Sequence, residues 1–535
     1  MSLTRRDFLI GSGAVAGATL FGVAGPALGA TSVDPKTALR NRLVVIFLEG
    51  GNDGLNYVAP RGDVPGAARA SVYQRVRPTL AYKPSALLAL DRGGDDAHQL
   101  GFNPKLQYLH STYRAGRVAI VQGVDYQNHS YSHFASQDIW HTGDAAKAGA
   151  SGWIGRHLDR AGVGEGELRA VAIGARVPLM LQGRVRVTAL TSIADMHFAD
   201  GTDSNATERH LALAAIGVRR AGDPLRSKVG GILRQSVDLV TDLRKTDAPT
   251  GGPSDLANAL LTARTLLEQN LGVECVYVSQ AGYDTHAGQL PKHERLLSDL
   301  DSALETFYLG TARGQAVGAV GAMKPDLAAR TLVMIVSEFG RRIGENGGGV
   351  AVAGTDHGAA APVVLIGPPP ETRSVDAARL TAGLHGEHPN MGTTATPANN
   401  LTMTTDLRHL YQSVLQDWLA SPDPLYTDAR RSPLHGLFTP ASGAGGAASS
   451  ARRGTATSRV TLDAPGTTTS SVSGRGGTRA AGSATARITH GDARAVHPVS
   501  FAAALAFNAF VAAIVVRSGR FRQALADWRD TDSLS

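Results

Sequence analysis

The chain has 535 residues, of which 43% are hydrophobic and 19% are charged, the composition of a folded globular protein with a large core. Its formal net charge is +7, but residues 441–494 alone hold seven arginines against two aspartates, a balance of +5. Because this basic excess lies near one end, the charge does not indicate a nucleic-acid-binding domain, and the single cysteine, Cys275, excludes an intramolecular disulfide.

Residues 1–30 indicate an export signal rather than part of a folded domain. Residues 4–9, TRRDFL, have a twin-arginine signature, and a mildly apolar Gly/Ala-rich stretch leads to small residues at 27–30. The alternative is a membrane anchor, but four glycines make the stretch too weakly apolar for a good spanning helix. We therefore expect the twin-arginine export machinery to carry the chain to the periplasm or the cell exterior.

Short apolar runs predict the buried strands of a parallel sheet. These runs are Arg42–Leu48, Arg117–Val124, Ala170–Gly174, Val273–Ser279, Thr331–Val336 and Pro362–Ile366. Helical spacing of apolar residues predicts helices over 104–116, 205–219, 224–245, 254–269 and 405–420, the last capped by Thr404 or Thr405. Residues 61–104 are expected to be irregular. Strands that alternate with helices indicate the α/β class.

Side chains that bind metals recur next to the predicted strands. They are Asp53 after the first strand, Asp284 and His286 after Val273–Ser279, Glu338 after Thr331–Val336, and Asp356 and His357 before Pro362–Ile366. Ligands gather beyond the carboxyl ends of strands in open α/β sheets, and carboxylates with imidazoles suit a divalent metal. Each motif alone has a plainer explanation, such as an Asn-Asp-Gly turn or a surface pair of Glu338 with Arg341. Their recurrence at one sheet edge favours a metal site.

A serine- and histidine-rich stretch, residues 127–140, lies at a predicted loop-to-helix junction. A hydroxyl group or a bound anion at a helix N-terminus gains from the helix dipole. Ser132 or Ser130 is therefore a candidate nucleophile or phosphate contact. The alternative is an ordinary serine N-cap beside a structural histidine.

Beyond about residue 440 the composition changes. Residues 441–497 are dominated by Ala, Gly, Ser, Thr and Arg, which cannot bury enough apolar surface to fold, so we expect a disordered linker. Residues 498–535 hold an 18-residue apolar run, Val499–Val516, followed by three arginines. Three interpretations remain open: a membrane anchor with its basic end inside, a short amphipathic or buried helix, and a tail without a selected function.

The ordered set of motifs resembles an exported bacterial family known only as domain of unknown function 1501. The match is carried by residues 43–60 (LVVIFLEGGNDGLNYVAP), 132–140 (SHFASQDIW), 282–289 (GYDTHAGQ), 337–342 (SEFGRR), 354–358 (GTDHG) and 405–419. The resemblance covers roughly residues 40–438 and also fits the twin-arginine leader, whereas the tail is not part of it.

That family is distantly similar to the alkaline phosphatase and sulfatase superfamily. The resemblance implies an alkaline-phosphatase-like domain over residues 31–440, with a central, mostly parallel β-sheet flanked by helices on both faces. It implies that Ser132 is the nucleophile and that Asp284, His286 and His357 bind one metal ion. Asp53 would be the carboxylate after the first strand, and Glu338 would replace the aspartate of an Asp-His pair. Phe339 stands where that pair has its histidine, and Asp356 is the candidate substitute.

These implications predict an exported metal-dependent hydrolase of phosphate or sulfate esters. It would hold one or two ions of zinc, manganese, calcium or magnesium and act on a small anionic ester, with Arg341 binding the anionic oxygens. No cysteine lies in the nucleophile region, which argues against a formylglycine sulfatase. Two other classes stay open: an exported binding protein with a degraded metal site, and a cell-surface protein that associates with the membrane through its tail.

Overall fold

The computed structural model describes residues 40–65, 69–144, 151–160, 168–185, 187–191, 251–269, 271–370, 379–421 and 433–439. The chain divides into two compact units, Met1–Gly445 and Gly446–Ser535, and all described residues belong to the first. The predicted leader, the predicted helices at 205–219 and 224–245, and the tail segments 441–497 and 498–535 lie outside the described residues. Within the described part, no helix is both long and apolar enough to cross a membrane.

A nine-stranded sheet forms the centre of the described unit. Its strands are β1 (Arg42–Glu49), β2 (Val118–Asp125), β3 (Ala170–Ile173), β4 (Val187–Leu190), β5 (Cys275–Ala281), β6 (Thr331–Val336), β7 (Ala361–Ile366), β8 (Gly383–His385) and β9 (Thr405–Asp406). Their spatial order is β8–β2–β7–β6–β1–β5–β3–β4, and β9 also pairs with β2. Eight strands run in one direction, and β7 runs against both of its neighbours. The class is therefore α/β with a mixed, mostly parallel sheet.

Helices cover both faces of this sheet. They are α1 (Gly54–Tyr57), α2 (Ala70–Val76), α3 (Gln107–Arg114), α4 (His133–Thr142), α5 (Trp153–Arg160), α6 (Asp255–Glu268), α7 (Gln289–Leu309), α8 (Pro325–Ala328) and α9 (Leu407–Ser413), with a π-helical turn at Val414–Trp418. Short 3-10 helices lie at Pro84–Ala86, Asp95–His98 and Leu179–Leu181. Helices α3, α6 and α7 pack on one face, and α4, α5 and α9 pack on the other.

The central strand β1 shows why the strands are apolar throughout. Val44, Ile46 and Leu48 join the hydrophobic cluster on one face. Leu43, Val45 and Phe47 join the cluster on the opposite face. Because helices cover both faces, successive side chains from Leu43 to Leu48 alternate between two dry cores, and the charged residues Arg42 and Glu49 lie only at the ends of the strand.

Smaller ribbons surround the main sheet. Val58–Pro60, Leu88–Ala89 and Leu100–Phe102 form a three-stranded antiparallel sheet, and the two-stranded ribbons pair Thr311–Ala312 with Gln315–Ala316, Gly340–Arg341 with His357–Gly358, and Arg379–Leu380 with Phe438–Thr439. The three-stranded sheet and α2 lie within the region 61–104 or at its border, so the prediction that this region is irregular is wrong. Its strands are two or three residues long, too short for a pattern in the sequence to stand out.

The six predicted strands are all present, with ends that differ by at most two residues. Strands β4, β8 and β9 and the 21-residue helix α7 were not predicted. The sequence did carry a signal for α7, because Leu297, Leu300, Leu304 and Phe307 follow the three- and four-residue spacing of a helix and are buried. Cys275 is buried, as expected for a small core residue.

The prediction that Pro362–Ile366 is a parallel strand of the sheet is wrong. Strand β7 runs antiparallel to β6, with Met334 opposite Leu365. Parallel neighbours need a crossover connection, usually a helix, whereas residues 337–360 contain loops and a short ribbon without a helix. The end of β6 and the start of β7 therefore lie at the same edge of the sheet.

The last predicted helix begins later than expected. Thr405 and Asp406 pair with β2, so α9 starts at Leu407. Asp406 is the N-cap and accepts a hydrogen bond from the backbone N–H of Arg408 at 3.0 Å, so the predicted threonine cap is wrong. The predicted inward positions are all buried, namely Leu407, Leu410, Tyr411, Val414, Leu415 and Trp418.

A buried histidine in α4 makes stability depend on pH. His141 packs against Phe47 and Tyr277 at ring-centroid distances of 5.1 and 5.9 Å. Burial lowers the pKa of His141 to about 4, although the charge of Glu338 opposes this. Between about pH 6.5 and pH 4 the unfolded chain binds a proton that the folded chain does not, so stability falls as pH falls through this window.

The free energy of unfolding falls between about pH 7.5 and pH 5, and we expect this fall to be smaller by roughly 2 kcal/mol in His141→Phe. Urea denaturation at both pH values measures this difference. The exposed His435, also changed to phenylalanine, is the control. An unchanged pH dependence in His141→Phe would contradict the prediction.

Candidate metal centre

The loops at the carboxyl edge of the sheet approach one another closely. Gly50 and Gly51, which follow β1, have φ angles of +115° and +75°. A Cβ atom on Gly50 would lie 2.4 Å from the backbone nitrogen of Asp284, and one on Gly51 would lie 2.2 Å from the ring of Phe339. Glycine is therefore required at both positions, by the backbone conformation and by the contact with the loops after β5 and β6.

Arg341 joins these loops from inside and is only 1% exposed. Its Nε donates to the carbonyl oxygen of Gly51 at 2.7 Å, and its Nη1 donates to that of Thr355 at 2.7 Å. Its Nη2 donates to the carbonyl oxygen of Tyr283 at 2.9 Å and to Oδ1 of Asp284 at 2.8 Å. The fixed fork of donors in a guanidinium thus holds Asp284 in place relative to three loops.

Two histidines from different loops meet at Asp284. His286 Nε2 lies 3.0 Å and His357 Nε2 lies 3.1 Å from Oδ1 of Asp284. The two Nε2 atoms are 2.9 Å apart. Ligand atoms around a tetrahedral zinc ion with bonds of about 2.0–2.1 Å are separated by roughly 3.3 Å, so this spacing suits a shared ion.

A third histidine, His133 in the first turn of α4, faces the other oxygen of the same carboxylate. Its Nε2 lies 3.5 Å from Oδ2 of Asp284 and has no hydrogen-bond partner within the described part of the chain. Ligand atoms of His133, Asp284 and His357 all lie within 4.8 Å of one another. The group around Asp284 therefore offers three imidazole nitrogens and a carboxylate.

The second nitrogen of each imidazole faces an oxygen atom. The contacts are His133 Nδ1 with Glu338 Oε1 at 2.9 Å, His286 Nδ1 with Asp356 Oδ1 at 3.3 Å, and His357 Nδ1 with the carbonyl oxygen of Tyr131 at 2.8 Å. An oxygen acceptor at Nδ1 favours the tautomer that carries its proton there and its lone pair on Nε2. All three free lone pairs then belong to the nitrogens that face Asp284.

Glu338 is fully buried behind His133. Its Oε1 also accepts the N–H of Gly50 at 2.8 Å, and its Oε2 accepts the hydroxyl of Ser337 at 3.1 Å. Burial, the largest single effect, raises the pKa of Glu338, but the hydrogen bonds with His133 and with backbone N–H groups together outweigh it, and the pKa is lowered. This position suits orientation of the His133 ring, and direct metal binding by Glu338 stays a prediction.

The charges of the group favour the metal-binding forms of Asp284 and His357, but they favour the protonated form of His133. Burial raises the pKa of Asp284, but hydrogen bonds from Arg341 and His357 outweigh it and lower this pKa to about 2. Desolvation lowers the pKa of His357, whereas the hydrogen bond with Glu338 raises the pKa of His133. Metal ligands must be carboxylates or neutral imidazoles, so His133 is the group that would release a proton on binding.

Asp53 lies in a different, fully buried ion pair. Its Oδ2 is 2.6 Å from Nη1 of Arg77, and both side chains are 0% exposed. Gln289 also donates to this oxygen, while Oδ1 has no hydrogen-bond partner among the described residues. Arg77 in turn donates to the carbonyl oxygen of Ile343 at 2.7 Å. The structure thus pairs Asp53 with a guanidinium rather than with the histidines, and metal binding by Asp53 stays a prediction.

Ser132 occupies the predicted N-cap position of α4, is exposed, and makes no capping hydrogen bond through its side chain. Its two neighbours contact the centre, Tyr131 through its carbonyl oxygen and His133 through its ring. A simple capping role therefore does not account for this hydroxyl group. Its role as a nucleophile stays a prediction.

Phe339 occupies the place of the histidine that the superfamily resemblance implies. Its ring lies 4.9 Å from the ring of His133 and 4.7 Å from that of His357, centroid to centroid. An apolar ring offers no metal ligand, so this position supports the histidine rings by packing alone.

The sequence patterns selected Asp284, His286 and His357 correctly as neighbours, with Asp356 behind His286. They did not select His133, although it directly follows Ser132 in the same motif. No local spacing connects residue 133 with residues 284 and 357. Only its position at the start of a helix that follows a strand, the same signal that selected Ser132, could have indicated it.

An α/β sheet with this group of side chains at its carboxyl edge defines a protein with a candidate metal centre between strand-end loops. The chain belongs to the family described as "Protein of unknown function (DUF1501)", whose sequence model matches residues 40–369. The matched range includes His133, Asp284, His286 and His357, and it confirms the family predicted from the motifs. No curated protein matches the chain.

We expect Arg341→Leu to lower the free energy of unfolding by roughly 3 kcal/mol or more, because buried carbonyl oxygens and Asp284 lose their donor. Urea denaturation measures the loss. The adjacent Arg342, which is partly exposed and donates to the carbonyl oxygen of Ala398, is the matched control, with an expected loss of about 1 kcal/mol in Arg342→Leu. Equal losses in the two variants would show that Arg341 does not join the loops as described.

Proposed function

We propose that this protein is a metal-dependent hydrolase of phosphate or sulfate esters with an alkaline-phosphatase-like α/β fold. One observation carries the proposal: three imidazoles, each with Nδ1 against an oxygen acceptor, present Nε2 to the carboxylate of Asp284. Hydrogen-bonded histidines of this kind are the usual arrangement around protein-bound metals. The close triad of His133, Asp284 and His357, with His286 beside it, suits zinc or manganese, and we assign one ion to this triad.

Exposure of the group supports catalysis over a purely structural ion. The side chains of Asp284 and His286 are 47% and 43% exposed. Catalytic metal sites keep a position open for substrate or water, whereas structural sites are closed. Ser132 is exposed and directly precedes His133, whose ring faces Asp284.

When bound, a divalent metal polarises an ester oxygen and lowers the pKa of a hydroxyl group held beside it. Ser132 Oγ forms a bond to phosphorus or sulfur as the bond to the alcohol oxygen breaks, its proton passes to solvent, and the leaving alkoxide takes up a proton from solvent. Water then displaces the seryl oxygen, which restores the hydroxyl group and releases phosphate or sulfate. One water molecule is consumed for each ester.

Arg341 was predicted to bind the anionic oxygens of the ester, but we assign that role to another part of the site. Its donors are engaged with carbonyl oxygens and Asp284, so we propose that Arg341 positions the carboxylate. The first N–H groups of α4 have no partner within the helix and follow Ser132 directly. A helix N-terminus is suited to bind anions, so we assign the anionic oxygens to it.

Export by the twin-arginine route is part of the proposal and is supported by Arg5, Arg6 and the apolar stretch that follows them. Retention of the chain in the cytoplasm after both arginines are changed to lysine would support it.

A second candidate function, an exported binding protein without turnover, is favoured by Phe339, which removes a ligand that a two-metal hydrolase would use.

Metal binding is tested with the full chain, purified without chelator and equilibrated with zinc or manganese, by elemental mass spectrometry. We expect about one equivalent, with an affinity at least 100-fold lower in His133→Asn and roughly 10- to 100-fold lower in Glu338→Gln. His129 in the same loop is the matched control, because its Nδ1 contacts Asp125 at 3.0 Å instead of the group around Asp284. A folded protein that contains no metal and binds none when metal is added would contradict the proposed centre.

Catalysis is tested on matched panels of phosphate and sulfate monoesters. We expect Ser132→Ala to lower kcat by at least about 100-fold while metal content is retained. Ser130→Ala is the control, and a larger loss in that variant would assign the nucleophile to Ser130. Stoichiometric metal without turnover on either panel would favour the binding protein over the hydrolase.

A further inference from the structure

Exposed large apolar side chains are concentrated around the candidate metal centre. Among the described residues these are Tyr131 (43% exposed), Phe134 (84%), Leu309 (45%), Val350 (53%) and Val352 (55%). Four of the five lie on segments that contact the histidines of the centre, and Leu309 lies at the end of α7. Single exposed apolar residues are ordinary, but a group around one site indicates an interaction.

The aromatic pair stands on either side of His133 in the sequence. Tyr131 is held in place: its carbonyl oxygen contacts His357, its hydroxyl accepts a hydrogen bond from Asn400 at 2.7 Å, and its ring lies 4.8 Å from that of His129. Phe134 extends into solvent from the first turn of α4. The start of α4 therefore places two exposed aromatic side chains beside the centre, and the guanidinium of Arg342 lies 5.5 Å from the ring of Tyr131.

The two valines lie on the loop 346–354, which packs against the segment that carries His286. The carbonyl oxygen of Ala353 accepts the N–H of Gln289 at 3.0 Å. A Cβ atom on Gly354 would lie 2.2 Å from the backbone of His286, so the loop and this segment are in direct contact. The loop that carries the exposed side chains of Val350 and Val352 therefore borders the segment of His286.

A ligand held at the centre lies beside both the start of α4 and the loop 346–354. A sugar or nucleoside group gains little from contact with these four apolar side chains, because its hydroxyl groups find few hydrogen-bond partners on them. An aryl or alkyl group would remove those side chains from water, which is favourable. The surroundings of the centre therefore select for an apolar group attached to the ester.

We propose that Tyr131, Phe134, Val350 and Val352 form an apolar rim that binds the leaving group of the substrate. The substrates are then phosphate or sulfate esters of aryl or long-chain alkyl alcohols. This inference rests on the proposed hydrolase function. In each turnover one water is consumed, the bond between the alcohol oxygen and phosphorus or sulfur breaks, and the apolar alcohol leaves the rim with the proton.

The first test compares kcat/KM of the metal-loaded full chain for methyl, butyl and octyl phosphate and the matching sulfates. These alcohols have similar acidities, so differences report contacts with the alkyl chain. We expect kcat/KM to rise at least about tenfold from methyl to octyl, and this ratio to fall severalfold in Phe134→Ser and in Val350→Ser/Val352→Ser. Leu309→Ser, the matched exposed position away from the centre, keeps the ratio. Turnover without any chain-length preference overturns the rim and leaves the hydrolase standing.

The second test needs no turnover. Calorimetry of the metal-loaded chain compares methylphosphonate with octylphosphonate, which are not cleaved. We expect octylphosphonate to bind at least about tenfold more tightly, with the difference lost in Phe134→Ser and kept in Leu309→Ser. Equal affinities overturn the rim whatever the turnover. A clear octyl preference with no turnover on any ester supports the rim as a site for apolar groups and overturns the hydrolase.

A third comparison separates a soluble ester from a membrane lipid as the source of the apolar group. Octyl phosphate is supplied as monomers or within phosphatidylcholine vesicles. A preference with monomers supports the rim as a leaving-group site. Co-sedimentation with ester-free vesicles that depends on Phe134, together with no preference among monomers, assigns the rim to a bilayer surface and overturns the inference.

Discussion

The ion pair between Arg341 and Asp284 is the contact on which the rest of the centre depends. Arg341 is buried and donates to carbonyl oxygens of loops that follow β1 and β5 and precede β7, as well as to the carboxylate. Backbone carbonyls at such a crowded edge need partners, and one guanidinium supplies several of them at once. Because the same cation keeps Asp284 ionised, imidazoles can gather around a fixed negative charge.

The reversed direction of β7 is the second constraint. His357 precedes β7, and in a sheet with β7 parallel to its neighbours it would lie at the opposite edge from Glu338. The antiparallel return instead pairs His357 with Arg341 in a two-stranded ribbon. Because β7 runs antiparallel to its neighbours, His357 lies at the edge of the sheet where β1, β2, β5 and β6 end.

The candidate site could be predicted in part. Asp284, His286 and His357 were found because their residue types recur beside strands, and strand positions are encoded locally. Asp53 and Glu338 carry the same local signal but lie against Arg77 and behind His133. A sequence can show that a carboxylate follows a strand, but it does not show which cation or imidazole pairs with that carboxylate. Arg77 lies in a region that was expected to be irregular, so its pairing with Asp53 could not be foreseen.

The sequence by itself determined the six main strands, the helices predicted within 104–116, 254–269 and 405–420, and the family. Apolar runs, helical spacing and ordered motifs are properties of neighbouring residues, so they can be read along the chain. Tertiary structure alone decided the direction of β7, the inward position of Arg341, the inclusion of His133, and the grouping of exposed apolar side chains around the centre. The physical reason is the distance along the chain. His133 and Glu338 are 205 positions apart, and their contact exists only because separate strands end at one edge of a shared sheet.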